Sequence, residues 1–111
     1  MRPVVKRWVD ALRSGEYKQG RNFLERDGKF CCLGVLCEIE GQEYMKGVCR
    51  VLPVTLQNKI GLRNNIGEYS GLDEGFSSLT ELNDNGYDFE YIANFIEKNE
   101  DELFREGEGY D

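Results

Sequence analysis

The chain contains no histidine. That absence removes Ser-His-Asp and Cys-His nucleophilic machinery, the histidine general base and nearly all catalytic zinc sites, since each needs an imidazole. Catalysis would have to rest on carboxylates, lysine, tyrosine or cysteine. Long apolar runs are missing too: the longest, Phe30 to Leu36 counting Gly34, falls well short of the roughly 18 to 20 residues that cross a bilayer. No membrane contact is expected. The N-terminal Met1-Arg2-Pro3-Val4-Val5-Lys6-Arg7-Trp8 is basic but lacks the apolar core and small-residue cleavage site of a secretory leader, so a cytoplasmic protein is expected. Neither the phosphate-loop spacing nor the dinucleotide glycine fingerprint occurs, and no cofactor is implied.

What is present suffices for one domain. At 111 residues, with 40% hydrophobic residues, six Phe, six Tyr and one Trp, the chain is too apolar and aromatic to remain disordered and has room for a single core. A single domain over residues 1–111 is expected, with a flexible acidic tail from about residue 100. Cys31, Cys32, Cys37 and Cys49 are expected to be reduced, because nothing marks the chain for export. Three of them lie in the most apolar segment, where cysteine acts as a small hydrophobe. Their spacing does not match paired zinc ligands about two to four residues apart, so no metal is expected.

Charge is unevenly distributed within the net −7. Residues 1–50 carry ten Lys/Arg against seven Asp/Glu, and residues 51–111 carry four against fourteen. A net-acidic protein repels a phosphate backbone at long range, so generic nucleic-acid binding is disfavoured unless the basic half forms a face of its own. Acidic pairs and runs such as Asp73-Glu74 and Glu100-Asp101-Glu102 read as solvated surface.

Periodicity gives the elements. Val4, Val5, Trp8, Ala11 and Leu12 repeat at helical spacing after Pro3, predicting a helix over 3–13 stopped at Gly15. Asp27-Gly28 between aromatic-bearing runs predicts a hairpin of 21–25 with 28–31. Residues 32–39 are almost continuously apolar and fit either a buried strand or a buried helix. Leu33, Leu36, Cys37 and Glu40, with Gly41 as a stop, favour the helix, and Gly34 would then permit close packing. A second hairpin is expected from 43–45 and 48–52, then a helix from Pro53 to Ile60 and a long Gly/Asn/Ser-rich loop over 62–76. Leu79 and Leu82 precede a turn at Asn83-Asp84-Asn85-Gly86, after which Asp88 caps a helix with Phe89, Ile92, Ala93, Phe95 and Ile96 inward. The expected class is α+β: a small antiparallel sheet of hairpins packed against several short helices.

One polar constellation stands above this background. Arg13-Ser14-Gly15-Glu16-Tyr17-Lys18-Gln19-Gly20-Arg21 places three cations, a Tyr, a Gln and two turn glycines within nine residues. Arg13, Lys18 and Arg21 can grip phosphate, Tyr17 can stack and Gln19 can read a base edge, although the stretch reads first as a basic helix end followed by a polar loop. Asn83 and Asp84 form a second candidate, although the pair reads first as turn chemistry.

Trp8 to Gly20, Phe30-Cys31-Cys32-Leu33-Gly34-Val35-Leu36-Cys37, Leu52-Pro53 and Leu82-Asn83-Asp84 with Phe89 and Ile92-Ala93 together carry a resemblance. On them the sequence resembles a family of small proteins encoded by bacteriophages and prophages. The resemblance spans nearly the whole chain and brings no catalytic residues with it. It implies a viral accessory protein in the bacterial cytoplasm that acts by binding. The leading expectation is a non-enzymatic protein that sequesters a small anionic ligand, a nucleotide-derived defence signal, at Arg13, Tyr17, Lys18, Gln19, Arg21, Asn83 and Asp84. The alternative is an acidic interaction module or inhibitor that meets a host protein as a mimic of nucleic-acid charge; self-association is left open.

Overall fold

Pro3–Arg13 forms helix α1 in the computed structural model, which describes residues 1–69 and 76–110. Its buried face is Val4, Val5, Trp8, Val9 and Leu12, and Gly15 at φ 79° turns the chain away afterwards. The apolar segment is helix α2, Cys32–Glu40. Residues Cys32 to Cys37 are all buried, so this helix is enclosed on every side and shows no single apolar stripe. Gly41 ends it at φ 68°, donating to the carbonyls of Cys37 and Glu38. Gly34 is needed for contact: a Cβ there would lie 1.8 Å from the Leu24 carbonyl oxygen. Trp8 Nε1 donates to the Cys32 carbonyl at 2.9 Å, joining α1 to the start of α2.

The α+β class is as expected, but the sheet is mixed and small. It has three two-residue strands, β1 (Lys18–Gln19), β2 (Glu25–Arg26) and β3 (Lys29–Phe30), in the order β1-β3-β2. Asp27 and Gly28 have φ 54° and 78°, the paired positive values of a two-residue primed turn. The hairpin therefore exists, but it pairs Glu25 with Phe30 and Arg26 with Lys29 rather than 21–25 with 28–31. Residues 20–24 instead carry the chain from one side of β3 to the other, through Asn22 at φ 72°. Because β1 and β2 flank β3 in opposite directions, β1 pairs with it in parallel, which corrects the antiparallel expectation.

The second expected hairpin is absent. Residues 42–53 contain no strand, because their backbone groups bond elsewhere: Gly47 N–H donates to the Glu25 carbonyl and Leu24 N–H to the Cys49 carbonyl, each at 2.8 Å. The segment closes on itself only as a turn, with Cys49 N–H donating to the Met45 carbonyl at 3.1 Å. Helix α3, Val54–Ile60, follows and stops at Gly61 at φ 82°.

Helix α4, Leu79–Asp84, occupies residues that composition suggested only as the approach to a turn. Ser78 Oγ accepts from Glu81 N at 3.1 Å, and Glu81 Oε1 accepts from Ser77 Oγ at 2.7 Å and Ser77 N at 3.2 Å. The Ser77 hydrogen bonds hold the Glu81 carboxyl below its ordinary range. Helix α5, Phe89–Lys98, is capped as expected by Asp88 Oδ1, which accepts from Tyr91 N at 2.8 Å. Helices α1, α2 and α5 pack around the core, with α4 against α2 and α5.

Glu100–Leu103 forms helix α6, and Leu103 and Phe104 are buried, Phe104 lying edge-on to Trp8 with ring centroids 6.5 Å apart. Arg2 fixes this end: its guanidinium binds Glu100 and Asp101 at 2.9 Å each and the Glu108 carbonyl at 2.7 Å, and lies over the Phe104 and Tyr110 rings. Within the expected 62–76 loop, Leu62 bridges to Phe104 and Glu68 to Ser78, and both Leu62 and Tyr69 are buried. Residues 70–75, with Asp73-Glu74, lie outside the described residues. No helix among the described residues is long and apolar enough to cross a membrane.

Candidate functional site

The seven residues singled out from sequence separate into four environments. Arg13 faces α5, where its guanidinium meets Glu97 Oε1 at 2.8 Å and Glu90 Oε2 at 3.7 Å and bonds Asn94. The Glu97 hydrogen bond, against some desolvation, raises its pKa, and the same contact lowers that of Glu97. Arg13 thus ties two helices together instead of opening toward a ligand.

Gln19, Asn83 and Asp84 come together, as a lock. Asn83 is fully buried, and its Oδ1 accepts from Gln19 Nε2 at 2.9 Å and from the Cys32 backbone N–H at 3.2 Å. Its Nδ2 donates to the Gly20 carbonyl at 2.8 Å. Gln19 Nε2 also donates to the Tyr87 carbonyl at 2.7 Å, and Asp84 Oδ1 accepts from Asn22 N at 2.8 Å. A buried amide with its donor and acceptor both engaged specifies position and has little capacity left for a ligand. The lock pins the 19–22 segment to α4 and to the start of α2. Tyr17 packs edge-on to Phe30, with centroids 5.4 Å apart, and is half-buried there.

Lys18 and Arg21 remain exposed. Lys18 is directly opposite Lys29 in the β1–β3 ladder, and Lys29 is directly opposite Arg26 in the β3–β2 ladder. Paired residues on neighbouring strands share a face, so three cations stand in one row across the sheet. None of the three makes an ion pair or side-chain hydrogen bond among the described residues. The row continues past β2: the guanidinium carbons of Arg26 and Arg50 each lie 4.9 Å from the centroid of the Phe23 ring. Gly20 leaves room for this arrangement, since a Cβ there would come within 2.8 Å of Lys29 Cβ.

Phe23, Arg26, Lys29 and Arg50 escaped notice in the sequence because they are spread over 28 positions. Part of the signal was nonetheless legible. A two-residue Asp-Gly turn sets the residues immediately before and after it opposite one another, and here these are Arg26 and Lys29.

The thiols are poor candidates for chemistry. Cys31, Cys32 and Cys37 are buried; desolvation pushes Cys31 up to about 11 and Cys37 to about 12, and Cys32 well above its ordinary value. No group of three Cys, Asp or Glu among the described residues could hold a metal ion. An open cleft beside the C-terminal end of α2 is lined by Glu38, Tyr44 and Lys46, which are already joined: Tyr44 Oη donates to Glu38 Oε2 at 2.7 Å, and Lys46 Nζ lies 3.8 Å from it.

Residues 1–52 match a family described as Domain of unknown function (DUF8296), a match that takes in α1, the sheet, α2 and Arg50. No curated protein and no solved structure matches the chain significantly.

Proposed function

We propose that this chain is a non-enzymatic binding protein that holds a phosphate-bearing ligand on the basic face formed by Lys18, Arg26 and Lys29. The observation that carries the reading is the unneutralised row itself. Like charges directly opposite on neighbouring strands are destabilising, and this chain has 21 acidic residues with which to neutralise them. Instead Glu90, Glu97, Glu100 and Asp101 of its second half pair with Arg2 and Arg13, and the sheet cations are left open. Lysine and arginine held in this way suit phosphate, through point charge and planar fork respectively. The absence of histidine and the burial of three thiols favour binding over catalysis. In the bacterial cytoplasm, the setting that the phage resemblance implies, the matching role is sequestration of a nucleotide-derived signal.

Calorimetric titration with pyrophosphate and a panel of linear and cyclic nucleotides tests the reading. Binding that is lost in the Lys18→Ala/Lys29→Ala double variant and kept in Arg13→Ala supports it. No phosphate compound binding below about millimolar, a range worth only about 4 kcal/mol, overturns it.

A further inference from the structure

Two features of the basic face concern the shape of its ligand. First, the cations stand side by side and exposed, not converging on one point. At the usual spacing of neighbouring strands, about 4.8 Å, Lys18, Lys29 and Arg26 span about 10 Å. Second, the row ends in planar groups, because Arg26 belongs both to the row and to the Phe23–Arg50 stack. Neither guanidinium makes a hydrogen bond or ion pair among the described residues, so both keep their donors.

We infer that this face is a platform for a short single-stranded nucleic-acid segment, a reading that rests on the phosphate-binding function proposed above and narrows it. Single strands are bound by cations that track the backbone together with aromatic and guanidinium planes on which unpaired bases stack. Both parts are present, and they meet at Arg26. A duplex hides its base faces and has a denser charge, which a chain of net charge −7 repels. The cations Lys18, Lys29 and Arg26 follow the phosphates, and Phe23 with Arg50 takes a base.

The test is fluorescence anisotropy of an end-labelled 12-nucleotide oligothymidylate with the full chain at 50 to 200 mM salt, beside its duplex, pyrophosphate and ATP. Neutralising about three phosphates predicts a slope of log K against log salt near −2, and Lys18→Ala or Lys29→Ala should each make it shallower by about 0.7. Phe23→Ala should weaken binding about fivefold or more with an unchanged slope. Circular dichroism of each variant confirms that it folds, and Phe23→Tyr, which keeps the ring, should retain binding. If ATP or pyrophosphate binds and the oligonucleotide does not, this inference falls and the phosphate-binding reading stands; if none binds, both fall. Duplex binding as tight as the single strand, or equal displacement by oligoglutamate, also overturns the inference, because base stacking then contributes nothing.

Discussion

Gln19 and Asn83, 64 positions apart, are joined by a 2.9 Å hydrogen bond from Gln19 Nε2 to Asn83 Oδ1, and the same oxygen accepts the Cys32 backbone N–H. One buried amide thereby sets the position of β1, the start of α2 and the C-terminal end of α4. Asn83→Ala would leave the buried Cys32 N–H and the Gly20 carbonyl without their partner. A buried polar group left unsatisfied costs about 1 to 3 kcal/mol, so the substitution should cost about 2 to 4 kcal/mol by urea denaturation. A loss below about 1 kcal/mol would mean that the three segments are positioned by packing alone.

The basic row should show opposite effects on stability and binding. In Lys29→Glu a carboxylate replaces the central cation between Lys18 and Arg26, converting two repulsive pairs into attractive ones. Cross-strand charge pairs are worth about 0.2 to 1 kcal/mol each, so the variant should be more stable by about 0.5 kcal/mol or more while losing phosphate binding. A variant that is destabilised, or that binds as the parent does, would remove the row from the functional argument.

Gly34 is under a stricter constraint than any helix propensity implies. In an ordinary helix Gly→Ala stabilises by up to about 1 kcal/mol. Here the added Cβ would sit 1.8 Å from the backbone oxygen of Leu24, which cannot rotate away. Gly34→Ala should therefore destabilise by about 3 kcal/mol or more, the upper end of overpacking, or prevent folding. Thermal melts of Gly34→Ala against the parent decide it, and a raised melting temperature would contradict the close approach.

The buried thiols give the fold an alkaline limit. Burial raises Cys31 from 9.0 to about 11 and Cys37 from 9.0 to about 12, so between these values the folded chain binds more protons than the unfolded one. Their contribution is intact below about pH 9 and is lost as pH rises through 11 to 12. Each raised thiol should cost up to about 1.4 kcal/mol per pH unit across that window. Stability measured from pH 8 to 11 should fall less steeply in Cys31→Ala than in the parent; parallel curves would show that Cys31 ionises freely in the folded protein.

The sequence by itself determined the helices whose signals are local. Pro3 and the valine and tryptophan spacing defined α1, Gly41 and Gly61 ended α2 and α3, and Asp88 capped α5, because each is a choice of dihedral angle or a hydrogen bond within one turn. The Ser78-x-x-Glu81 pattern, with Ser78 as the cap, was equally local and would have revealed α4. Tertiary structure decided the rest. Segment 43–52 had the composition of a hairpin, yet its backbone donors and acceptors found residues 24 and 25 first. The acidic end looked solvated, but Arg2, almost a hundred positions away, gave Glu100 and Asp101 a partner and brought Phe104 under cover. Arg13 and Lys18, neighbours in a basic stretch, were sent to opposite duties by what each met: Arg13 found Glu97, and Lys18 found another lysine. Charge is a property of the residue, but neutralisation is a property of the pair, and pairs separated by tens of residues exist only once the chain has folded.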